Sequence, residues 1–134
     1  MNRGLSNQLQ AAFPNITPVS RPLVVNKLIG EWGWLIGFTD AEGCFFVNIQ
    51  KSATTKSKVN IQLEFIIFQH ERDELLMTSL VEFFGCGNTY TRGNICRFRV
   101  TNLTDITTKI LPFFKDNPLL GAKFKDFEDF CRVA

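Results

Sequence analysis

Apolar and polar positions along this chain change period several times, and each change marks an element. The run Leu35-Ile36-Gly37-Phe38-Thr39-Asp40-Ala41-Glu42-Gly43 reads as a helix. Gly33, Gly37 and Ala41 recur every four residues there and form one stripe of missing side chains. Beyond Gly43 the period falls to two, with Phe45, Val47 and Ile49 on one side and Cys44, Phe46, Asn48 and Gln50 on the other. Lys51 to Lys58 is polar and predicts a hairpin tip. The return strand sets Val59, Ile61, Leu63, Phe65 and Ile67 against Asn60, Gln62, Glu64, Ile66 and Phe68. A helix from about Glu71 to Phe84 follows, with Leu76, Leu80, Phe83 and Phe84 inward, and Gly85-Cys86-Gly87 stops it.

A second hairpin runs from Asn88 to Arg92, turns at Gly93-Asn94 and returns from Ile95 to Thr101. Its return strand points Cys96, Phe98 and Val100 one way and Ile95, Arg97, Arg99 and Thr101 the other. Asn102 is placed to cap a helix through Phe114, Asn117-Pro118 breaks the chain, and a last amphipathic helix uses Phe124, Phe127, Phe130 and Cys131. Two consecutive hairpins with helices between and after them predict an α+β domain of order αββαββα(α). Its four-stranded antiparallel sheet has one face covered by helices and the other open. Residues 1–30 differ from the rest. Met1 to Ala12 reads as a short helix, and the prolines between Pro14 and Pro22 predict an extended, linker-like segment lying on a protein surface. The single domain is expected over 31–134.

Composition narrows the picture. With 134 residues, 45% hydrophobic content and 14 Phe, one well-packed domain is expected and global disorder is not. The net charge of +2 permits a nucleic-acid partner without arguing for one. Four widely spaced cysteines and one His argue against a zinc site and for reduced thiols. No apolar run reaches the length of a membrane span and no signal-peptide core opens the chain, so a soluble, intracellular protein without a membrane partner is expected.

The open face predicted for the sheet carries Asn48, Gln50, Asn60, Gln62, Glu64, Arg97 and Arg99, together with Asn88, Tyr90 and Arg92. Amides, guanidinium groups and an acid match the donor and acceptor pattern of the DNA major groove. Polar residues are also the ordinary content of any solvated sheet face. Lysine, however, would dominate a merely solvated surface, and here it is confined to the hairpin tip at Lys51, Lys56 and Lys58. Phosphate contacts beside amide readers explain that placement and tilt the reading toward DNA.

Asp40 and Glu42 close the first helix, where the macrodipole disfavours carboxylates and calls for a compensating cation. A lone acid at a helix end is usually a solvated surface group, but these two lie between apolar runs. If two such helices pack through Gly33, Gly37 and Ala41, two Glu42 carboxylates converge, and a divalent cation between them relieves their repulsion. Paired carboxylates suit Mg²⁺, completed by phosphate oxygens and water, which is the arrangement of metal-assisted phosphodiester hydrolysis.

The nine-residue motif, the element order, the Phe-rich core and the glycine pair Gly85 and Gly87 together resemble the LAGLIDADG homing endonucleases, from about Trp32 onward. The segment Phe13 to Lys27 resembles the linker between the halves of fungal mitochondrial single-chain members, so the chain looks like a second half without its first. It also stops sooner after the Phe124–Cys131 helix than that family usually does. The resemblance implies a sequence-specific double-strand DNA endonuclease, mitochondrial and intron-encoded, cutting across the minor groove. It implies Mg²⁺ as cofactor, with Ca²⁺ or Mn²⁺ as substitutes. Glu42 takes the role of catalytic, metal-binding acid, the Gly43 carbonyl helps bind the metal, and Gln69 positions solvent. A basic helper is expected near the cut, with Asn102 or Arg72 near the matching positions. Cutting requires a pair of domains, supplied by a homodimer or by a separate first-half domain. Two rival classes are a non-cleaving nucleic-acid-binding module, such as an intron maturase or transcription-factor relative, and a purely structural dimerisation module.

Overall fold

Two hairpins meet through their second strands to make one four-stranded sheet of order β1-β2-β4-β3. In this computed structural model residues 6–17, 32–51 and 58–134 are described. The expectations for 1–5, where the predicted Met1 to Ala12 helix begins, for 18–31 and for the hairpin tip at 52–57, Lys56 included, lie outside them. The strands are β1 (Gly43–Lys51), β2 (Val59–His70), β3 (Asn88–Arg92) and β4 (Ile95–Val100). All pairings are antiparallel, with Phe45 opposite Phe65, Ile67 opposite Phe98 and Tyr90 opposite Arg97. The alternation read from the sequence therefore sets the faces: Phe45, Leu63, Phe65, Ile67, Cys96, Phe98 and Val100 are buried under the helices.

A short helix α1 (Asn7–Ala12) has the Ser6 hydroxyl as its cap and buries no residue. The packed elements begin with α2 (Trp32–Glu42), and α3 (Glu74–Phe84) follows β2 after a 3₁₀ turn at Glu71–Asp73. Gly85 ends α3 in the left-handed region at φ 61°. Gly87 is also at positive φ, and a Cβ there would lie 2.7 Å from the Phe98 ring, so no larger residue fits. The predicted helix after Asn102 is real but composite: α4 (Leu103–Asp105), a π turn at Ile106–Ile110, and α5 (Leu111–Asp116). The Asn102 side chain caps it by accepting from Asp105 N at 3.2 Å. The wide turn falls just before Pro112, which has no N–H to give the preceding turn. The chain closes with α6 (Lys123–Val133).

Phenylalanines hold the layers together. The Phe45 ring lies 5.0–5.5 Å from those of Phe65, Phe114, Phe127 and Phe130, joining β1 and β2 to α5 and α6. Phe84 and Phe98 stack at 5.8 Å and join α3 to β4. All four cysteines are free thiols, and burial pushes those of Cys44, Cys86 and Cys131 up, so they stay protonated at neutral pH.

Several side-chain expectations change. Met77, with Leu80 and Phe84, forms the buried ridge of α3, while Leu76 and Phe83 are only half-buried. Phe124 is exposed at the start of α6. Ile49 and Ile61, on the helix side of the sheet, are 67% and 55% exposed, because the first hairpin projects beyond the helices. Thr101 lies just past the end of β4.

Candidate functional site

Helix α2 is apolar almost all round, and the domain uses only one side of it. Leu35 and Thr39 are fully buried, whereas Gly33, Gly37 and Ala41, on the opposite side, are exposed. A Cβ built on Gly33 or Gly37 would meet nothing within 4 Å. Beside the stripe, Trp34 stacks on Phe38 at 4.8 Å and remains 45% exposed. A helix with apolar residues all round is ordinarily buried all round, and here the stripe side is left uncovered.

The foot of α2 is held by the other end of the chain. Asp40 Oδ2 accepts from Leu120 N at 2.9 Å and Gly121 N at 3.0 Å, and Lys123 Nζ donates to Thr39 O at 3.2 Å. Lys123 therefore brings a cation to the negative end of α2 through a helix carbonyl. Sequence reasoning missed this lysine, which lies 84 residues further along the chain. Gly43 is buried in the turn from α2 into β1, where a Cβ would lie 2.6 Å from Thr39 Cγ2 and 2.7 Å from Thr39 O. Only glycine passes that corner, which fixes the carboxylate one residue earlier.

Glu42 is exposed and lines a hollow of about 450 Å³ with Phe68, Gln69, His70, Asn94 and Ile95. The fold thus brings Glu42 and Gln69 together, with Gly43 adjoining. Gln69 Oε1 accepts from His70 N at 3.0 Å, and His70 Nδ1 accepts from Arg72 N at 3.3 Å. Beside the hollow, Glu71 N donates to Asn94 O at 2.9 Å. Asn102 lies past the far end of β4 and is engaged as a helix cap, and the Arg72 guanidinium pairs with Asp73. No cluster of three or more His, Cys, Asp or Glu occurs among the described residues. One domain presents a single acid, with hard oxygen donors that suit a cation such as Mg²⁺ but form only part of a shell.

The open face runs from this hollow to the first hairpin. In register across it lie Gln50 with Asn60, Asn48 with Gln62, and Phe46 with Glu64. Nearer Glu42 lie Cys44 with Ile66, Arg99 and Asn88, then Phe68 with Arg97 and Tyr90, then His70 with Ile95 and Arg92. Lys51 and Lys58 flank the hairpin tip. Glu64, only 5% exposed, is clamped by Arg99 through Nε at 2.9 Å and Nη2 at 2.8 Å. That guanidinium, with a further bond from Asn48, holds the Glu64 carboxyl below the usual carboxylate range against the cost of burial. The polar residues expected on this face are all on it; Thr101 follows β4, and Glu64 and Arg99 are tied to one another. The apolar Phe46, Ile66, Phe68 and Ile95, which the alternation in the sequence also put on this side, share the face with them.

A profile of the LAGLIDADG endonuclease family matches residues 35–134, and the chain belongs to that family. A "Probable intron-encoded endonuclease 2" of Neurospora crassa is 36% identical over 146 residues, covering 100% of this chain and 31% of the relative. An uncharacterised 50.9 kDa Podospora anserina protein in ND4 intron 1 is 31% identical over 98 residues, covering 70% of this chain and 22% of the relative. Among solved structures, the LAGLIDADG homing endonuclease I-SmaMI bound to cleaved DNA superposes with a TM-score of 0.89 at 42% identity, covering 99% of this chain and 45% of that one. I-SmaMI has also been solved on an uncleaved DNA target with calcium ions, matching with a TM-score of 0.88 at 41% identity over 98% of this chain and 46% of that one. This chain therefore spans about a third or less of these curated relatives and under half of I-SmaMI.

Proposed function

We propose that this chain is one domain of a divalent-metal-dependent, sequence-specific double-strand DNA endonuclease, cutting when its α2 packs against α2 of another LAGLIDADG domain. The observation that carries the reading is that one helix bears both an exposed small-residue stripe and, at its foot, an exposed acid beside a polar sheet face. Close approach of two such helices brings two Glu42-type carboxylates to the edge of a DNA-reading surface. The second domain is a second copy of this chain or a separate first-half domain. Residues 1–30 serve as a linker-like extension, in keeping with the absence of any buried residue in α1.

Glu42 and the Gly43 carbonyl are the groups that would hold the metal, taken as Mg²⁺ with Ca²⁺ or Mn²⁺ able to substitute. The chemistry such a cation supplies is activation of water and neutralisation of charge on the scissile phosphate. The chain's own residues do the remainder. Gln69 orients solvent in the hollow, Gly33, Gly37 and Ala41 admit the partner helix, and Asn48, Gln50, Asn60, Gln62, Arg97 and Arg99 meet base edges. Lys51, Arg92 and Tyr90 meet the backbone. The calcium-supported DNA complex of I-SmaMI supports metal use, and the ND4-intron relative supports a mitochondrial setting for the encoding intron.

Solution mass, measured with and without Ca²⁺ and a randomised duplex library, should rise to that of a paired assembly on DNA. With Mg²⁺ the assembly should cut both strands, and Glu42→Gln should abolish cutting while Ca²⁺-supported binding persists. Specific binding with no cutting under any metal would make the chain a non-cleaving relative. A monomer that never pairs would sink the shared-site mechanism.

A further inference from the structure

The open face is not uniformly polar. Between the amide rows and the Glu42 end it carries Phe46 on β1 and Ile66 and Phe68 on β2, with Ile95 on β4 beyond. Phe46, Phe68 and Ile95 are 47%, 39% and 50% exposed, so these side chains are offered outward rather than used in the core, while Ile66 forms the floor between them. Cations edge the strip. The Arg97 guanidinium lies 5.9 Å from the centroid of the Phe68 ring, and its buried Nε has no hydrogen-bond partner among the described residues. Arg99 stands in register with Ile66, and Arg92 with Ile95. An apolar strip edged by guanidinium groups suits a polyanion that displays small apolar groups. In the DNA major groove that group is the C5-methyl of thymine.

We infer that Phe46, Ile66 and Phe68 read thymine methyl groups at base pairs lying between the cut and the bases faced by the amide rows. The inference rests on the endonuclease reading above. Alternate residues along a strand are about 6.7 Å apart, roughly two base-pair steps of about 3.4 Å. Phe68 is separated by two such intervals from Glu64, which faces Phe46 across the β1–β2 pair. The methyl-reading stretch is thus about four base pairs long. Burying a group the size of a methyl favours binding about fourfold.

The test selects bound sites from random duplex DNA with Ca²⁺, using the full chain together with any second domain its activity requires. Each thymine of the selected site is then replaced by deoxyuridine, which removes the methyl and leaves every hydrogen-bonding group. Thymine should be enriched in the inner stretch, and deoxyuridine should weaken binding about fourfold per position there but not beneath the amide rows. Phe46→Gln should bring the thymine-to-uridine ratio at one position to about one and leave the other positions unchanged. A merely structural Phe46 would instead lower both affinities together, and that result overturns the inference. Equal binding of the thymine and uridine sites also overturns it while leaving the endonuclease reading intact. Failure to select any site overturns both.

Discussion

Replacing Glu64 tests whether the open face is organised by a clamp within the domain. The carboxylate is 5% exposed and accepts two charge-assisted bonds from Arg99, at 2.8 and 2.9 Å. Hydrogen bonds to charged groups contribute about 1.5–3 kcal/mol each, and breaking a fully buried pair costs about 3–5 kcal/mol. Arg99 keeps 35% of its side chain in solvent and can rehydrate, so Glu64→Ala should cost about 2–3 kcal/mol. For a chain of this length that is a fall in Tm of roughly 6–15 °C. The pH dependence has a definite sign. Arg99 lowers the Glu64 pKa from its ordinary 4.5 in the folded state. The unfolded chain therefore takes up the proton first, and the contribution is complete above that value and lost as pH falls through the lowered folded one. Urea titrations between pH 3 and 7 on wild type, Glu64→Gln, Arg99→Met and the double variant measure the coupling. Additivity within about 0.5 kcal/mol, or an unchanged acid limb in Glu64→Gln, would refute the clamp.

Three further outcomes follow from the geometry. Gly37→Leu should leave Tm unchanged or slightly raised, because a Cβ there meets nothing within 4 Å, yet it should abolish pairing by sedimentation; a large loss of Tm would mean the stripe packs within its own domain. Asp40→Ala removes the acceptor of Leu120 N and Gly121 N and should cost about 2 kcal/mol, with hydrogen exchange at those two amides accelerated; unchanged protection would disprove the tether. Phe45→Ala opens a cavity among four aromatic partners and should cost about 3–5 kcal/mol in urea unfolding, whereas a loss below about 1 kcal/mol would show that the core refills.

What could be read from the sequence follows the range of the interactions. β1 and β4 bury chiefly one face and wrote their period of two into the chain, β2 alternates as far as Phe65 although residues 63–67 are buried on both faces, and Gly85 marked the end of α3 through its own φ. Whether a residue on the correct face reaches the core was not written locally. Ile49 and Ile61 alternate as Phe45 does but overhang the helices, and Met77 rather than Leu76 meets the sheet. The 3₁₀ start before α3 and the π turn before Pro112 are adjustments of a few residues with weak signals. At the candidate site, the motif pointed to Glu42, and the contacts that hold its helix end lie far along the chain. Asp40 meets Leu120 and Gly121 at separations of 80 and 81 residues, and Lys123 reaches Thr39 across 84. Glu64 and Arg99, 35 apart, were both expected on the open face, but their mutual clamp needed the β2–β4 register.

Those long-range supports bear on how a shared active site can work. A carboxylate contributed by each of two domains is useful only if each arrives already placed, since the metal-binding geometry tolerates little error. Here the placement is completed within one domain. Gly43 forces the exit of α2, the Asp40 tether pins the foot of the helix to the α5–α6 loop, and Lys123 offsets the negative helix end from the side away from the stripe. None of these contacts uses Gly33, Gly37 or Ala41, so in the proposed pairing the partner's task is separable: it would supply a helix face and a second acid. Variants of the stripe should therefore fail in assembly while the single domain stays folded. Variants of the foot should assemble and misplace Glu42.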